Sequence, residues 1–339
     1  MIDLLVAGGG PAGLAAAIHA ARAGMETVVV EPRGAPVDKA CGEGIMPGGV
    51  TALAGLGVEV SGRELRGIRY VEGARRVEAS FRHQAGLGVR RTELHAALHR
   101  RARELGVRIV PERAGEVRQH ADGVTVGGRT ARWLVAADGL HSPVCRSLGL
   151  DVAGGARPVR YGLRRHYRIR PWTDFVEVHW SRRGEAYVTP VGEELVGVAL
   201  LGHGRGGGYE ERMAAFPALA HLLSGVPAGA VRGAGPLRRR TRRKVAGRVL
   251  LVGDAAGYVD ALTGEGIALA LATAGAAVHC LTAGRPDAYE AAWYRLTRRH
   301  RVLTECLVRA CEHPRAAGLI VPAACRLPRL FSAAVHALQ

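Results

Sequence analysis

A doubly wound α/β fold carrying an inserted antiparallel sheet is predicted by three observations. A buried strand, a glycine-rich turn and an Ala-rich helix follow one another at the start of the chain. An apolar strand and an Ala-rich helix recur from Val249 onward. Between about Val159 and Leu201, strand-like runs succeed one another with no helix between them. At 339 residues there is room for two domains, or for one large domain with an insertion.

Leu4–Ala7 is a short continuous apolar run, as expected of a parallel strand covered on both faces. Pro11 suits the first turn of a helix, Ala12–Ala23 is a strong helix former, and Gly24 ends it. Thr27–Val30 then completes a β-α-β unit. In the turn, Gly8-x-Gly10-x-x-Gly13 has glycine where the chain must turn tightly, let backbone approach a pyrophosphate, and pack helix on strand. The helix start at Pro11 and Ala12 offers free N–H groups to phosphates. Glu31, 18 residues after Gly13, is placed to accept from ribose hydroxyls. Gly8, Gly10, Pro11, Ala12, Gly13 and Glu31 thus specify a dinucleotide site without choosing between FAD and NAD(P).

Further along, Arg66–Glu72 and Arg75–Phe81 read as strands joined at Gly73, and Thr92–Leu105 has helical spacing. Val107–Val110, Gly115–Arg118, Gly123–Val126 and Ala131–Ala137 read as strands. Phe175–Trp180 and Leu195–Leu200 belong to the inserted sheet, Gly202–Gly208 is a flexible loop, and Tyr209–Leu223 is helical. Val249–Val252 returns to a buried strand, followed by a helix over Ile267–Leu281 and a helical C-terminus punctuated by Pro286, Pro314, Pro322 and Pro328. The expected division is a discontinuous nucleotide domain (1–65, 85–157, 240–284), a substrate sheet (66–84, 158–239) and C-terminal helices (285–339).

Hydrophobic residues at 48% and charged ones at 23% exclude a disordered or fibrous chain. Lys+Arg 47 against Asp+Glu 30 gives +17, a field that attracts anionic substrates or an acidic carrier protein. Only Arg238–Lys244 is a dense run, read as a solvated face; no aromatic residues interleave it, so nucleic acid is not an expected partner. Six widely spaced cysteines offer no C-x-x-C pair, no metal site is expected, and the chain reads as reduced and cytoplasmic. The apolar stretch from Ile2 to Met25 lacks a basic leader and is broken by Gly8-Gly9-Gly10-Pro11, so neither a signal peptide nor a transmembrane span is expected.

Three later segments carry a family resemblance. Ala137-Asp138-Gly139-Leu140-His141-Ser142 resembles the A-D-G-x-x-S segment, and Gly253-Asp254-Ala255-Ala256 the G-D-A-A segment, of the superfamily containing p-hydroxybenzoate hydroxylase and geranylgeranyl reductases. Arg91-Thr92-Glu93-Leu94-His95 is similar to its R-x-x-F-D segment, with Leu94 and His95 replacing the usual pair. The resemblance implies FAD in a Rossmann-like domain of the glutathione reductase type. It assigns Arg91 and Asp138 to the cofactor, Asp254 to a ribityl hydroxyl, and Gly264 and Gly266 to the flavin pyrimidine ring.

Cys41-Gly42-Glu43-Gly44 is similar to the C-G-x-G loop of the geranylgeranyl reductase-like branch, which lies beside the flavin. That resemblance implies catalytic roles for Cys41 and Glu43; read without it, Cys41 is a small packed residue in a tight turn. The aromatic Y-x-W-x-F-P strand of lipid-reducing members is reduced here to Tyr187-Val188-Thr189-Pro190, which argues against long isoprenoid substrates. The W-x-W-x-I-P motif and catalytic lysine of the halogenases are missing. The expectation is an FAD monooxygenase tailoring an aromatic or polyketide-like small molecule with NAD(P)H and oxygen. The alternatives are an ene-reductase or dehydrogenase acting on a carbon–carbon bond, and a non-catalytic flavin protein. Tyr187, His179, Trp180 and His166 are the candidate substrate contacts.

Overall fold

The computed structural model describes residues 1–152, 158–204, 207–223 and 227–338. The expected domain boundary at residue 157 lies outside them. β1 (Ile2–Ala7) leads through α1 (Pro11–Arg22) to β2 (Thr27–Val30). β1 pairs in parallel with β2 on one side and with Arg129–Ala136 on the other. Arg108–Val110 and Val249–Leu251 extend the parallel sheet outward. Leu4 to Ala7 are fully buried, which is why this strand reads as an unbroken apolar run. α1 packs against the helices Arg91–Glu104 and Gly266–Thr282.

The second sheet has seven strands in the order Pro227–Ala234, Arg160–Tyr167, Leu195–His203, Gly184–Gly192, Phe175–Ser181, Gly67–Glu72, Arg75–Ser80. It is antiparallel except where Gly67–Glu72 runs parallel to Phe175–Ser181, a correction to the wholly antiparallel expectation. The two strands are separated in sequence by a return through the first domain, so no hairpin constrains their direction. A third sheet of short strands, Gly44–Ile45, Gly86–Gly88 and Arg63–Leu65, joins the two parts and was not anticipated.

Other elements shift or divide. The strand placed at Gly115–Arg118 is Val117–Gln119. The helix expected over Tyr209–Leu223 is two, Tyr209–Met213 and Pro217–Leu222, because Pro217 must open a new first turn. Leu195–His203 continues as strand into the expected loop, of which Arg205 and Gly206 lie outside the described residues. The edge strand Pro227–Ala234 went unread, since its small residues are largely exposed and carry no alternation.

The basic run is a solvated face only in part: Arg240, Arg242 and Arg243 are exposed, but the others are not. Arg239, Thr241 and Lys244 turn inward: Arg239 donates to Leu140 O at 2.5 Å, and Lys244 Nζ lies 4.4 Å from the Trp293 ring centre. Burial brings the Lys244 ammonium down to about 8. The C-terminus is helical over Ala288–Glu312, Pro314–Ala317, Ile320–Arg326 and Pro328–His336. Phe331 and Val335 pack on Val77 and Ala79 of the second sheet. Among the described residues no single helix is long and apolar enough to cross a membrane.

Tyr289 is fully buried and its hydroxyl donates to Leu251 O at 2.8 Å, tying the longest helix to the parallel sheet. Tyr289→Phe keeps the packing and leaves that carbonyl short of a donor. The expected loss is about 1–2 kcal/mol in denaturant unfolding; an unchanged midpoint would show that the bond adds nothing.

Candidate functional site

A cavity of about 930 Å³ opens beyond the C-terminal ends of the parallel strands. Gly8 follows β1, Glu31 follows β2, Asp138 follows Arg129–Ala136, and Asp254 follows Val249–Leu251, and all four line it. Open α/β sheets bind ligands at this edge. Gly8 has φ +102°, and a Cβ there would stand 2.6 Å from Ala137 O; a Cβ on Gly13 would meet Gly8 O at 1.9 Å. A Cβ on Gly10 would meet only Arg91 Nη2, at 3.9 Å, so this glycine faces the open cradle above α1, where Pro11 and Ala12 begin the helix.

The cradle is framed by polar groups. Glu31 accepts from Gly9 N at 2.9 Å and from Arg33 Nε and Nη2 at 2.7 and 2.9 Å. Burial alone would raise its carboxyl; these donors outweigh burial and lower it. His95, which replaces the family's acidic residue, places Nε2 2.9 Å from Gly9 O. Burial, helped by the Arg91 charge, lowers His95 to about 4, so the neutral ring donates to that carbonyl.

Arg91 Nε and Asp138 Oδ1 are buried with no hydrogen-bond partner, and Asp138 spends its other oxygen on Val144 N at 3.0 Å. A buried guanidinium nitrogen and a buried carboxylate oxygen, both without a partner and flanking an open glycine cradle, fit the phosphates and hydroxyls of a dinucleotide. At the far end, Gly264 (φ +72°) and Gly266 open the 17-residue helix Gly266–Thr282, whose N-terminal N–H groups suit an electron-rich ring edge. Tyr258 lines the cavity here with its phenol held neutral by burial, and was missed because nothing in its sequence context marks it.

The Cys41–Gly44 loop lies beside this end. Burial pushes the Cys41 thiol up, so it stays protonated, and its Sγ accepts from Glu43 N at 3.4 Å. Glu43 is 1% exposed with φ +61°. Its Oε1 accepts from Arg91 N at 2.9 Å, and its Oε2 lies 2.6 Å from His166 Nε2. Arg164 Nη1, 3.1 Å from His166 Nδ1, can only donate, so the imidazole carries its proton on Nε2 and points it at Glu43. Arg164 also contacts Asp38, which pairs with Arg232 at 2.9 Å.

Of the four expected substrate contacts, the structure brings one to the cavity. Tyr187 lines it and donates its hydroxyl to Leu262 O at 2.5 Å. His166 lies beneath the loop, on Glu43. His179 pairs with Glu177 at 3.1 Å on the opposite face of its strand, because alternation sends odd positions away from Val176 and Val178. Trp180 shares the inner face but sits beyond the cavity, edge-on to Tyr70 with ring centres 5.0 Å apart. Past Tyr187, the cavity is lined chiefly by Val176, Val178, Leu201, Leu237, Leu307 and Phe331. The C-terminal helices' share of this lining was invisible without knowing where they dock.

Fold and site together define an FAD-binding oxidoreductase. The family described as FAD binding domain matches residues 1–178, and the chain belongs to it. A menaquinone reductase of Mycobacterium tuberculosis (strain CDC 1551 / Oshkosh) is 31% identical over 313 residues, covering 80% of this chain and 74% of its own. Digeranylgeranylglycerophospholipid reductase 1 of Methanothermobacter thermautotrophicus is 29% identical over 306 residues, covering 78% and 73%. The crystal structure of CmlS, a flavin-dependent halogenase, superposes with a TM-score of 0.80 at 20% identity, covering 93% of this chain and 67% of its own; that likeness concerns the fold alone.

Arg91→Ala removes the buried guanidinium but keeps the backbone N–H that holds Glu43. FAD affinity on reconstitution is expected to fall at least about tenfold, from the loss of one charge-assisted contact; full retention would remove Arg91 from the cofactor site. Because folded His95 titrates near 4 and an unfolded histidine near 6.5, the unfolded chain binds the extra proton between those values. Stability therefore falls as pH drops from about 6.5 to about 4, and His95→Asn flattens that slope in pH-dependent unfolding.

Proposed function

We propose that this protein is an FAD-dependent reductase that saturates a carbon–carbon double bond in a long apolar, prenyl-type substrate. The observation that carries the reading is the apolar arm of the cavity, which continues from Tyr187 past Leu237 and Leu307 to Ile320 and Leu327. The cations lining the cavity, Arg33, Lys39, Arg91, Arg113 and Arg164, all lie outside the C-terminal helices, so that arm supplies no counter-charge for an anionic substrate. The names of two relatives, a menaquinone reductase and a digeranylgeranylglycerophospholipid reductase, point to the same substrate class. The hydroxylation expected from sequence, with its compact aromatic substrate, leaves this arm without a purpose.

Bound FAD, once reduced, supplies the hydride; NAD(P)H is the proposed source of its electrons. Gly8, Gly10, Pro11, Ala12, Gly13, Glu31, Arg91 and Asp138 hold the nucleotide part, and Asp254, Gly264 and Gly266 the flavin end. Cys41 is the proposed proton donor: a thiol held neutral by burial on the wall of the cavity, able to deliver the proton that completes the reduction. Glu43 is a positioning residue, since both of its partners are donors addressing an acceptor and leave it no proton to give. The apolar walls exclude water, which protects the reducing equivalents.

Anaerobic turnover of a prenylated quinone with a chemical reductant, followed by reoxidation of the quinol ring in air, is expected to give a quinone whose prenyl chain is heavier by two hydrogens. A product that requires oxygen and carries an added oxygen atom would overturn the reading in favour of hydroxylation. Cys41→Ala is expected to lower turnover by about 10²–10⁴-fold with FAD still bound, and Cys41→Ser to recover part of it. Unchanged turnover in Cys41→Ala sinks the proton-donor role.

A further inference from the structure

The exposed residues that line the cavity differ in character from its nucleotide end to its C-terminal-helix end. At the nucleotide end the exposed lining residues include Pro32, Arg33, Arg113, His141 and Pro143, and Gly42 and Gly264 are exposed along the wall between. At the other end they are Cys306, Ala323, Leu327 and Leu330. Leu327 and Leu330 line the cavity while 55% and 65% exposed, and Leu319, one helix back, is 60% exposed. A run of large apolar side chains left in water at one end of a cavity needs an occupant.

The segment that carries them is unusual in composition and shape. From His313 to Leu338 there is no Asp or Glu, while Arg315, Arg326 and Arg329 are exposed and form no ion pair among the described residues. Arg326-Leu327-Pro328-Arg329-Leu330 alternates cation and leucine at this end of the cavity. The stretches Pro314–Arg326 and Pro328–His336, bent by 101°, together reach the apolarity of a membrane segment, yet Val321, Phe331 and Val335 are buried against the protein. One side of the bend is therefore spent on the core and the other is free. An apolar face ringed by uncompensated arginines matches the layering of a bilayer surface, acyl chains beneath anionic headgroups.

We infer that the outer face of the C-terminal helices docks on an anionic lipid bilayer, with the leucine-lined end of the cavity facing the acyl layer. The docking goes beyond the proposed reaction and holds for any chemistry at the flavin; only the delivery of substrate through that end rests on the prenyl reading. Arginine supplies long-range attraction and Leu319, Leu327 and Leu330 supply insertion, so binding depends on both lipid charge and side-chain apolarity.

The test is co-sedimentation of the FAD-loaded full chain with phosphatidylcholine vesicles, alone or containing phosphatidylglycerol. The protein is expected to pellet with the anionic vesicles and to be released by salt. Arg315→Gln/Arg326→Gln/Arg329→Gln is expected to weaken binding about a hundredfold, at about fivefold per arginine. Leu327→Ser/Leu330→Ser is expected to weaken it at least about tenfold. Circular dichroism and flavin absorbance establish that each variant is folded. Wild-type protein left in the supernatant with both vesicle types, or binding indifferent to both variants, overturns the inference. So does a dimer in sedimentation velocity that Leu327→Ser/Leu330→Ser dissociates, for then a second copy covers the face. No turnover is read, so a protein that pellets but does not reduce a prenyl chain removes the proposed reaction and leaves the docking standing.

Discussion

The buried carboxylate of Glu43 is the constraint on which the site depends. It takes one hydrogen bond from the backbone of Arg91, at the start of a helix in the nucleotide domain, and another from His166, on a strand of the second sheet. Three segments distant in sequence therefore meet on two oxygens. A charged group this deep is tolerable only if its acceptors are satisfied, so the loop, the helix and the sheet must keep their relative positions. The non-glycine positive φ at Glu43 is strain that the same bonds hold in place, and it sets the turn that brings Cys41 to the cavity wall.

The nucleotide half was legible because its requirements are local. Gly8, Gly10, Gly13 and Glu31 lie within one β-α-β unit, and each residue type follows from a distance or a backbone angle that short-range geometry dictates. Asp138 and Asp254 were legible through their segments, as both follow parallel strands whose apolar runs are plain in the sequence. His166 and Trp180 show where local reading stops. Period-two alternation says which residues share a face, but not how far along the strand the cavity reaches, nor what lies opposite. The partnership of His166 with Glu43 spans more than a hundred residues and leaves no periodic trace. Arg239 and Lys244 failed for the same reason, being drawn inward by Leu140 and Trp293, contacts that no spacing announces.

Likeness of fold does not choose a reaction here. A halogenase and this chain superpose over 93% of this chain at only 20% identity, so the likeness is one of fold. What separates chemistries on such a scaffold is the wall opposite the ring. In this chain the cavity wall beyond Tyr187 is apolar and partly built by the C-terminal helices, the region where composition is least diagnostic. Where lipid-reducing members carry an aromatic strand, this chain lines its cavity with Leu307, Ile320 and Leu327 from another element, the surface on which the proposed long substrate rests.

The flavin end and the substrate wall are also tied to each other directly. Tyr187 of the second sheet holds Leu262 O, two residues before Gly264. Arg160 of the same sheet pairs with Glu185 at 2.6 Å and with Asp260 at 3.0 Å, and Asp260 in turn accepts from Leu262 N at 3.1 Å. Burial raises Asp260 to about 6, moderated by the Arg160 charge. Two carboxylates around one guanidinium in a dry interior make poor net stabilisation, and hydrophobic side chains of equal volume would hold the layers together as well. What the ionic arrangement adds is direction: together with the Tyr187 bond it fixes the Asp260–Gly264 turn against the second sheet, so the helix start at Gly266 and the sheet side chains that line the cavity keep one relative position.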